Sequence, residues 1–357
     1  MIGGNVSSTR PGLIERLRKG VVLCGEGYVF ELERRGYVKS GPYVPEVVLD
    51  HPEAVLELHR EYARAGSDVV LALTYYAHRD KMKVVGRERD VEQLNRQAVR
   101  LARKVARETG TLLAGNICNT WVYDAKDPVR SGRAVRRMYE EQVGWAVDEG
   151  AEFIVAETLD WFAEASLALE VIQAHGVPAV VNFIAVNDRT SDGYDHAEAC
   201  RILADRGATV VGLNCGRGPQ TQWPLLKRVI KAVDGASYVS SLPVAYRTSR
   251  ASPSFVTLHH KGCRHGFPVE LEPFQLTRYE MADFAVAAAK AGTRFIGVCC
   301  GGGPHQLRAM AEALGRRVPS SQYSPALERH AIMGSKRYAR AKDRSRYRTE
   351  RKVMRGR

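Results

Sequence analysis

Cysteine is scarce in this chain, long apolar runs are missing, and excess charge is confined to one end. Seven cysteines among 357 residues, an odd number at irregular spacing, exclude a disulfide framework and fit thiols kept reduced. No stretch approaches the roughly 18 consecutive apolar residues of a membrane span. The first twenty residues, MIGGNVSSTRPGLIERLRKG, lack the apolar centre of a secretory signal, so a cytoplasmic location is expected. The formal net charge of +13 suggests nucleic acid until its distribution is examined. Residues 334–357, GSKRYARAKDRSRYRTERKVMRGR, hold eleven Lys/Arg against Asp343 and Glu350, a net of +9 that leaves only +4 for the rest. A basic surface on the main body is thereby excluded. The tail reads as a solvated arm reaching onto a neighbouring subunit, which implies a homo-oligomer and no nucleic-acid partner.

What is present is alternation. Short apolar, β-branched runs recur: VVLC (21–24), VVLAL (69–73), TLLAGNI (111–117), EFIVAE (152–157), PAVVNFI (178–184), TVVGLN (209–214), SYVSSL (237–242) and FIGVCC (295–300). Each is too short for a helix and is followed by a helix-like segment. EAVLELHREYARAG (53–66), EQLNRQAVRLARKVARETG (92–110) and RYEMADFAVAAAKAG (278–292) are examples. Gly66, Gly110, Gly150, Gly207 and Gly292 stand where such helices should stop. Eight strand–helix units predict a closed (β/α)₈ TIM barrel over residues 1–320, followed by a basic C-terminal extension over 321–357. An open doubly wound sheet is disfavoured, because CGEGYVF (24–30) replaces the glycine fingerprint expected after its first strand. Polar insertions are expected after strands 1, 3 and 7.

Two strand ends carry the chemistry. Strand 6 finishes at Cys215-Gly216, and strand 8 at Cys299-Cys300 followed by Gly301, Gly302, Gly303 and Pro304. In a barrel all three thiols sit on the catalytic rim. Three thiolates converging there make a tetrahedral zinc site with its fourth position open. Alone, the adjacent pair also suits two small buried hydrophobes; a third thiol at an equivalent strand end favours the metal. Two consecutive residues face one point only if the chain turns sharply beyond the strand, and glycine permits that turn. His259, His260, Cys263 and His265 lack regular ligand spacing and read as a loop. Cys24, Cys118 and Cys200 read as ordinary buried thiols.

The elements GLNC (212–215) and GVCCGGGPHQL (297–307) resemble the zinc-binding elements of the homocysteine S-methyltransferases, most closely the betaine-dependent branch. The resemblance extends through ERLRKG (15–20), VFELERRGYVKSGPYVPE (29–46), TYYA (74–77), EFIVAET (152–158) and VSSLPVAY (239–246), and covers most of residues 13–317. It implies a (β/α)₈ barrel that holds Zn2+ on Cys215, Cys299 and Cys300 and methylates the thiol of homocysteine from an onium donor, forming methionine. Tyr76 matches a donor-pocket tyrosine, and Tyr43 stands where the betaine enzyme has tryptophan. Glu157 matches the glutamate that binds the amino group of homocysteine. Tyr43, Tyr75 and Tyr76 also suit a quaternary ammonium on physical grounds, since aromatic faces attract cations.

Two departures stand out. The family has Asp-Gly after strand 1 where this chain has Gly25-Glu26, so Glu26 is the candidate to take over the aspartate's task. A donor-pocket tyrosine is replaced by Thr158. These changes leave open a different methyl donor, another betaine or a sulfonium, or a different thiol acceptor.

Overall fold

The computed structural model describes residues 10–335, together with Ser345, Arg346 and Thr349. The chain divides into two compact units at Val318/Pro319. In the first, eight parallel strands close a barrel in sequential order: β1 (Val22–Gly25), β2 (Val69–Leu71), β3 (Leu112–Cys118), β4 (Phe153–Leu159), β5 (Ala179–Ile184), β6 (Val210–Asn214), β7 (Tyr238–Leu242) and β8 (Phe295–Val298). β1 pairs with β8, Val22 opposite Phe295, and that pairing completes the ring. The fold is the expected (β/α)₈ TIM barrel. In the second unit, short 3₁₀ turns span Pro319–Tyr323 and Leu327–Arg329. Most of the basic tail, with the oligomerisation arm expected there, lies outside the described residues.

Helices form where the sequence places apolar residues at helical spacing. Val91–Thr109 buries Leu94, Ala98, Leu101, Ala102 and Val105 on one face, against the barrel, and leaves its arginines outside. The five glycines expected to end helices all have positive φ, from 72° at Gly110 to 110° at Gly66. The expectation of long insertions holds after β1 and β7 but not after β3. There the helix Pro128–Asp148 begins soon after the strand, because Asp127 caps it by accepting from the Arg130 N–H and Pro128 fits its first turn. The polar run RSGRAVRR (130–137) lies inside that helix, which buries Ser131, Gly132 and Val135 and leaves the arginines at least partly exposed, so it is not a loop. The second insertion instead follows β2, residues 72–90, and contains the short helix Arg79–Val84.

The main core fills the space between the strands and the helices around them. A second apolar cluster lies apart from it: Phe30, Tyr246, Phe255, Leu258, Leu271, Val244, Cys215 and Cys299. It is built largely by the long segment after β7, which roofs the rim where the strands end. The opposite end of the barrel is pinned by Asp68, which accepts from the Leu23 N–H at 2.7 Å and pairs with Arg316 at 2.6 Å. Binding surface and anchoring network therefore occupy opposite ends, as barrels generally arrange them.

Candidate metal centre and substrate cavity

Cys215 and Cys299 each stand one residue beyond their strand, and an extension of β7 fixes both. Leu242 C=O accepts from the Cys215 N–H at 2.9 Å, and Pro243 C=O accepts from the Cys299 N–H at 3.0 Å. The Ala245 N–H donates to Cys300 C=O at 3.0 Å. The chain then turns at Gly301, whose φ is +75° and where a Cβ would fall 2.4 Å from the ring of buried Tyr246. Only glycine fits there. That turn brings consecutive side chains to one side: Cys300 Sγ lies 3.9 Å from Cys299 Sγ and 3.6 Å from Cys215 Sγ. A tetrahedral zinc with bonds of about 2.3 Å requires sulfurs about 3.8 Å apart, so the donor set fits. The close thiols share hydrogen bonds. Those from Cys299 and Cys300 pull Cys215 well below the ordinary thiol range, while the same contacts and burial push its two partners up.

Beside the thiols, buried Glu26 and Glu157 bring carboxylate oxygens within 4.8 Å of each other and of Cys299 Sγ. Glu157 is held from both sides. Asn116 Nδ2 donates to one oxygen at 2.7 Å, and Asn214 Nδ2 donates to the other at 2.9 Å. Asn214 is itself oriented, because its Oδ1 accepts from the Thr158 N–H at 2.9 Å. An irregularity in β4 between Ala156 and Leu159 makes that contact possible. Burial pushes Glu157 up to about 7, and burial together with the Glu157 charge pushes Glu26 well above its usual range. Glu26 Oε2 has no hydrogen-bond partner. Two acids buried together with one oxygen unmet form a place for a cation.

The thiols and carboxylates open into one cavity of about 590 Å³. Much of its remaining wall is aromatic: Phe30, Tyr43, Tyr75, Tyr76, Trp121, Phe255 and Phe267. Tyr43 stacks on Phe30 at 5.5 Å, and Tyr75 lies 4.2 Å from Tyr76. Among the described residues six non-glycine positions have positive φ, and five of them line this cavity: Tyr43, Tyr76, Trp121, Thr158 and Cys215. Each such backbone costs on the order of 1–3 kcal/mol and persists where the surroundings impose it, most often at functional sites.

Every residue singled out from the sequence, Glu26, Tyr43, Tyr75, Tyr76, Glu157, Cys215, Cys299 and Cys300, reaches this one cavity. Asn116, Lys81 and Trp121 were not anticipated. Asn116 is hidden within an ordinary strand, while Lys81 and Trp121 lie in connections after β2 and β3 whose path the pattern does not fix. Among the described residues, the histidines near 260 form no metal-ligating group. All seven cysteines are free, and Cys24, Cys118 and Cys200 are buried.

Residues 21–314 match the family model described as homocysteine S-methyltransferase. Betaine-homocysteine S-methyltransferase 1 of Danio rerio is 36% identical over 92% of this chain and 81% of its own length. S-methylmethionine-homocysteine S-methyltransferase BHMT2 of Rattus norvegicus is 33% identical over 90% of this chain and 86% of its own length. The metallated homocysteine methyltransferase MmuM of Escherichia coli shares the barrel, with a TM-score of 0.62 at 20% identity, covering 83% of this chain and 99% of that one. The chain is a methyltransferase and belongs to the homocysteine S-methyltransferase family.

Proposed function

We propose that the protein moves a methyl group from a betaine-like onium donor to the sulfur of homocysteine, forming methionine, with zinc on Cys215, Cys299 and Cys300. The observation that carries this reading is the meeting of three thiols, two buried carboxylates and an aromatic wall in one cavity. Zinc held there would act as a Lewis acid that keeps the acceptor's sulfur ionised near neutral pH. Glu26 and Glu157 receive the acceptor's ammonium, which removes the cost of burying two acids side by side. Asn116 and Asn214 fix the Glu157 oxygens, so the acceptor's ammonium meets a carboxylate already in position. The rings of Tyr43, Tyr75 and Tyr76 face the onium centre and hold it by cation–π attraction where its methyls accept no hydrogen bond. In-line attack then forms a carbon–sulfur bond as the carbon–onium bond breaks. Its electron pair leaves with a neutral amine or thioether, and the acceptor's thiol proton passes to solvent. The roof over the rim, with Phe255 and Phe267, limits water.

A sulfonium or another betaine is the second reading for the donor. Thr158 and Tyr43 reshape the onium side, and one relative is named for S-methylmethionine. Free thiols throughout suit a reducing compartment, and among the described residues no helix is long and apolar enough to cross a membrane.

The test is zinc analysis of the purified protein and of Cys215→Ala, with methionine formation from homocysteine and a panel of onium donors. About one zinc per chain, lost in the variant, and methionine from at least one donor are expected. Methionine from none of them would overturn the proposal.

A further inference from the structure

Among the described residues the cavity is lined by three charged side chains, Glu26, Glu157 and Lys81. The two acids sit beside the thiols; Lys81 sits with the aromatics. Its Nζ lies 4.3 Å from the Tyr76 ring centroid and 5.4 Å from that of Trp121. These three residues form a unit, because the Trp121 Nε1–H donates to Tyr76 Oη at 2.9 Å. Trp121 keeps this post with a left-handed backbone, φ +62°, and with its side chain largely open to solvent. Lys81 has no carboxylate partner among the described residues, since neighbouring Asp80 pairs with Lys83 at 3.5 Å. Partial burial lowers its affinity for a proton, the direction expected of an ammonium stripped of water with no anion beside it.

A fixed cation is an odd wall for a cavity that must receive a second cation against the same rings. For an onium compound with no anionic group, Lys81 is a like charge sharing the Tyr76 quadrupole. For an onium compound that carries a carboxylate a methylene or two away, the sign reverses: the onium centre faces tyrosine rings while the carboxylate meets the ammonium. We propose that Lys81, positioned by Tyr76 and Trp121, is a specificity-determining residue that binds the carboxylate of a zwitterionic methyl donor and disfavours donors lacking one. The acceptor's own carboxylate is a poorer partner, because its ammonium is drawn to Glu26 and Glu157 among the thiols, whereas Lys81 belongs to the aromatic wall.

This inference rests on the onium-donor reading above, and the experiment separates the two. The zinc-loaded full chain and its Lys81→Met and Lys81→Arg variants are assayed for methionine formation with glycine betaine, dimethylsulfoniopropionate and trimethylsulfonium. Choline, which shares the trimethylammonium group and lacks the carboxylate, is the competitive inhibitor. Wild type is expected to use the carboxylate-bearing donors at least about tenfold better than trimethylsulfonium. Lys81→Met raises the donor KM about tenfold and lowers the Ki of choline, while Lys81→Arg stays within about threefold of wild type. Opposite shifts for the two ligands are a signature that a packing role would not give. Equal shifts in one direction, or a change that falls on the homocysteine KM instead, would overturn the assignment and leave the proposed function standing. Absence of turnover with every onium compound would remove both.

Discussion

Asn214 is the most informative residue to remove. It is fully buried at the end of β6, and its one side chain makes two contacts that no other group can replace. In Asn214→Ala the Thr158 N–H loses its acceptor, and an orphaned buried donor costs about 1–3 kcal/mol. Glu157 Oε2 loses a hydrogen bond to a charged group, about 1.5–3 kcal/mol more. Water entering from the cavity recovers part of the second loss and little of the first. A net destabilisation of about 3–4 kcal/mol follows, a large share of the 5–15 kcal/mol typical of a domain. Urea unfolding with a chelator present isolates this from metal binding. The double variant with Glu157→Gln should lose less than the sum of the singles, since the two changes remove one shared contact. A loss below about 1 kcal/mol in Asn214→Ala, or strict additivity, would refute the claim that Asn214 is the clamp between Thr158 and Glu157.

Two further outcomes are expected. Glu157→Gln should raise the KM for homocysteine at least about thirtyfold, roughly 2 kcal/mol, because it removes a buried charge opposite the acceptor's ammonium; steady-state kinetics with homocysteine varied at saturating donor measure this, and an unchanged KM would dismiss that role. His59, in the helix Pro52–Ala65, is buried against the Tyr28 ring with neither ring nitrogen paired, and burial drops it to about 3. Its folded value lies below the unfolded value near 6.5, so the stability tied to its neutral form is complete above pH 6.5 and is lost as pH falls towards 3. Between pH 7.5 and 4.5 the metal-free protein should therefore lose about 3 kcal/mol more than His59→Phe, as read from urea midpoints; parallel losses would rule the histidine out.

The barrel was legible because its signal is local and repeated. Eight β-branched runs, each followed by an amphipathic segment and several closed by glycine, leave few topologies, and the structure realises the expected one. The insertion assigned after β3 failed for a local reason of another kind: a helix with a polar outer face reads like a loop until Asp127 and Pro128 are recognised as its start. The thiols were legible because strand ends in a parallel barrel share one rim. Asn116 and Asn214 illustrate the limit, since an asparagine in a strand does not declare which neighbour it will meet across the barrel.

Sequence by itself determined that three sulfurs, two carboxylates and several aromatic rings would arrive at the same end of the barrel. For the sulfurs that follows from strand period and strand order; for the carboxylates and rings it follows largely from the family resemblance. Tertiary structure alone decided how they meet: sulfurs 3.6 and 3.9 Å apart, Glu26 turned in beside Glu157, and Lys81 laid over Tyr76. Those distances depend on left-handed backbones at Cys215, Thr158, Tyr76 and Trp121. No local propensity favours them; the surrounding barrel imposes them.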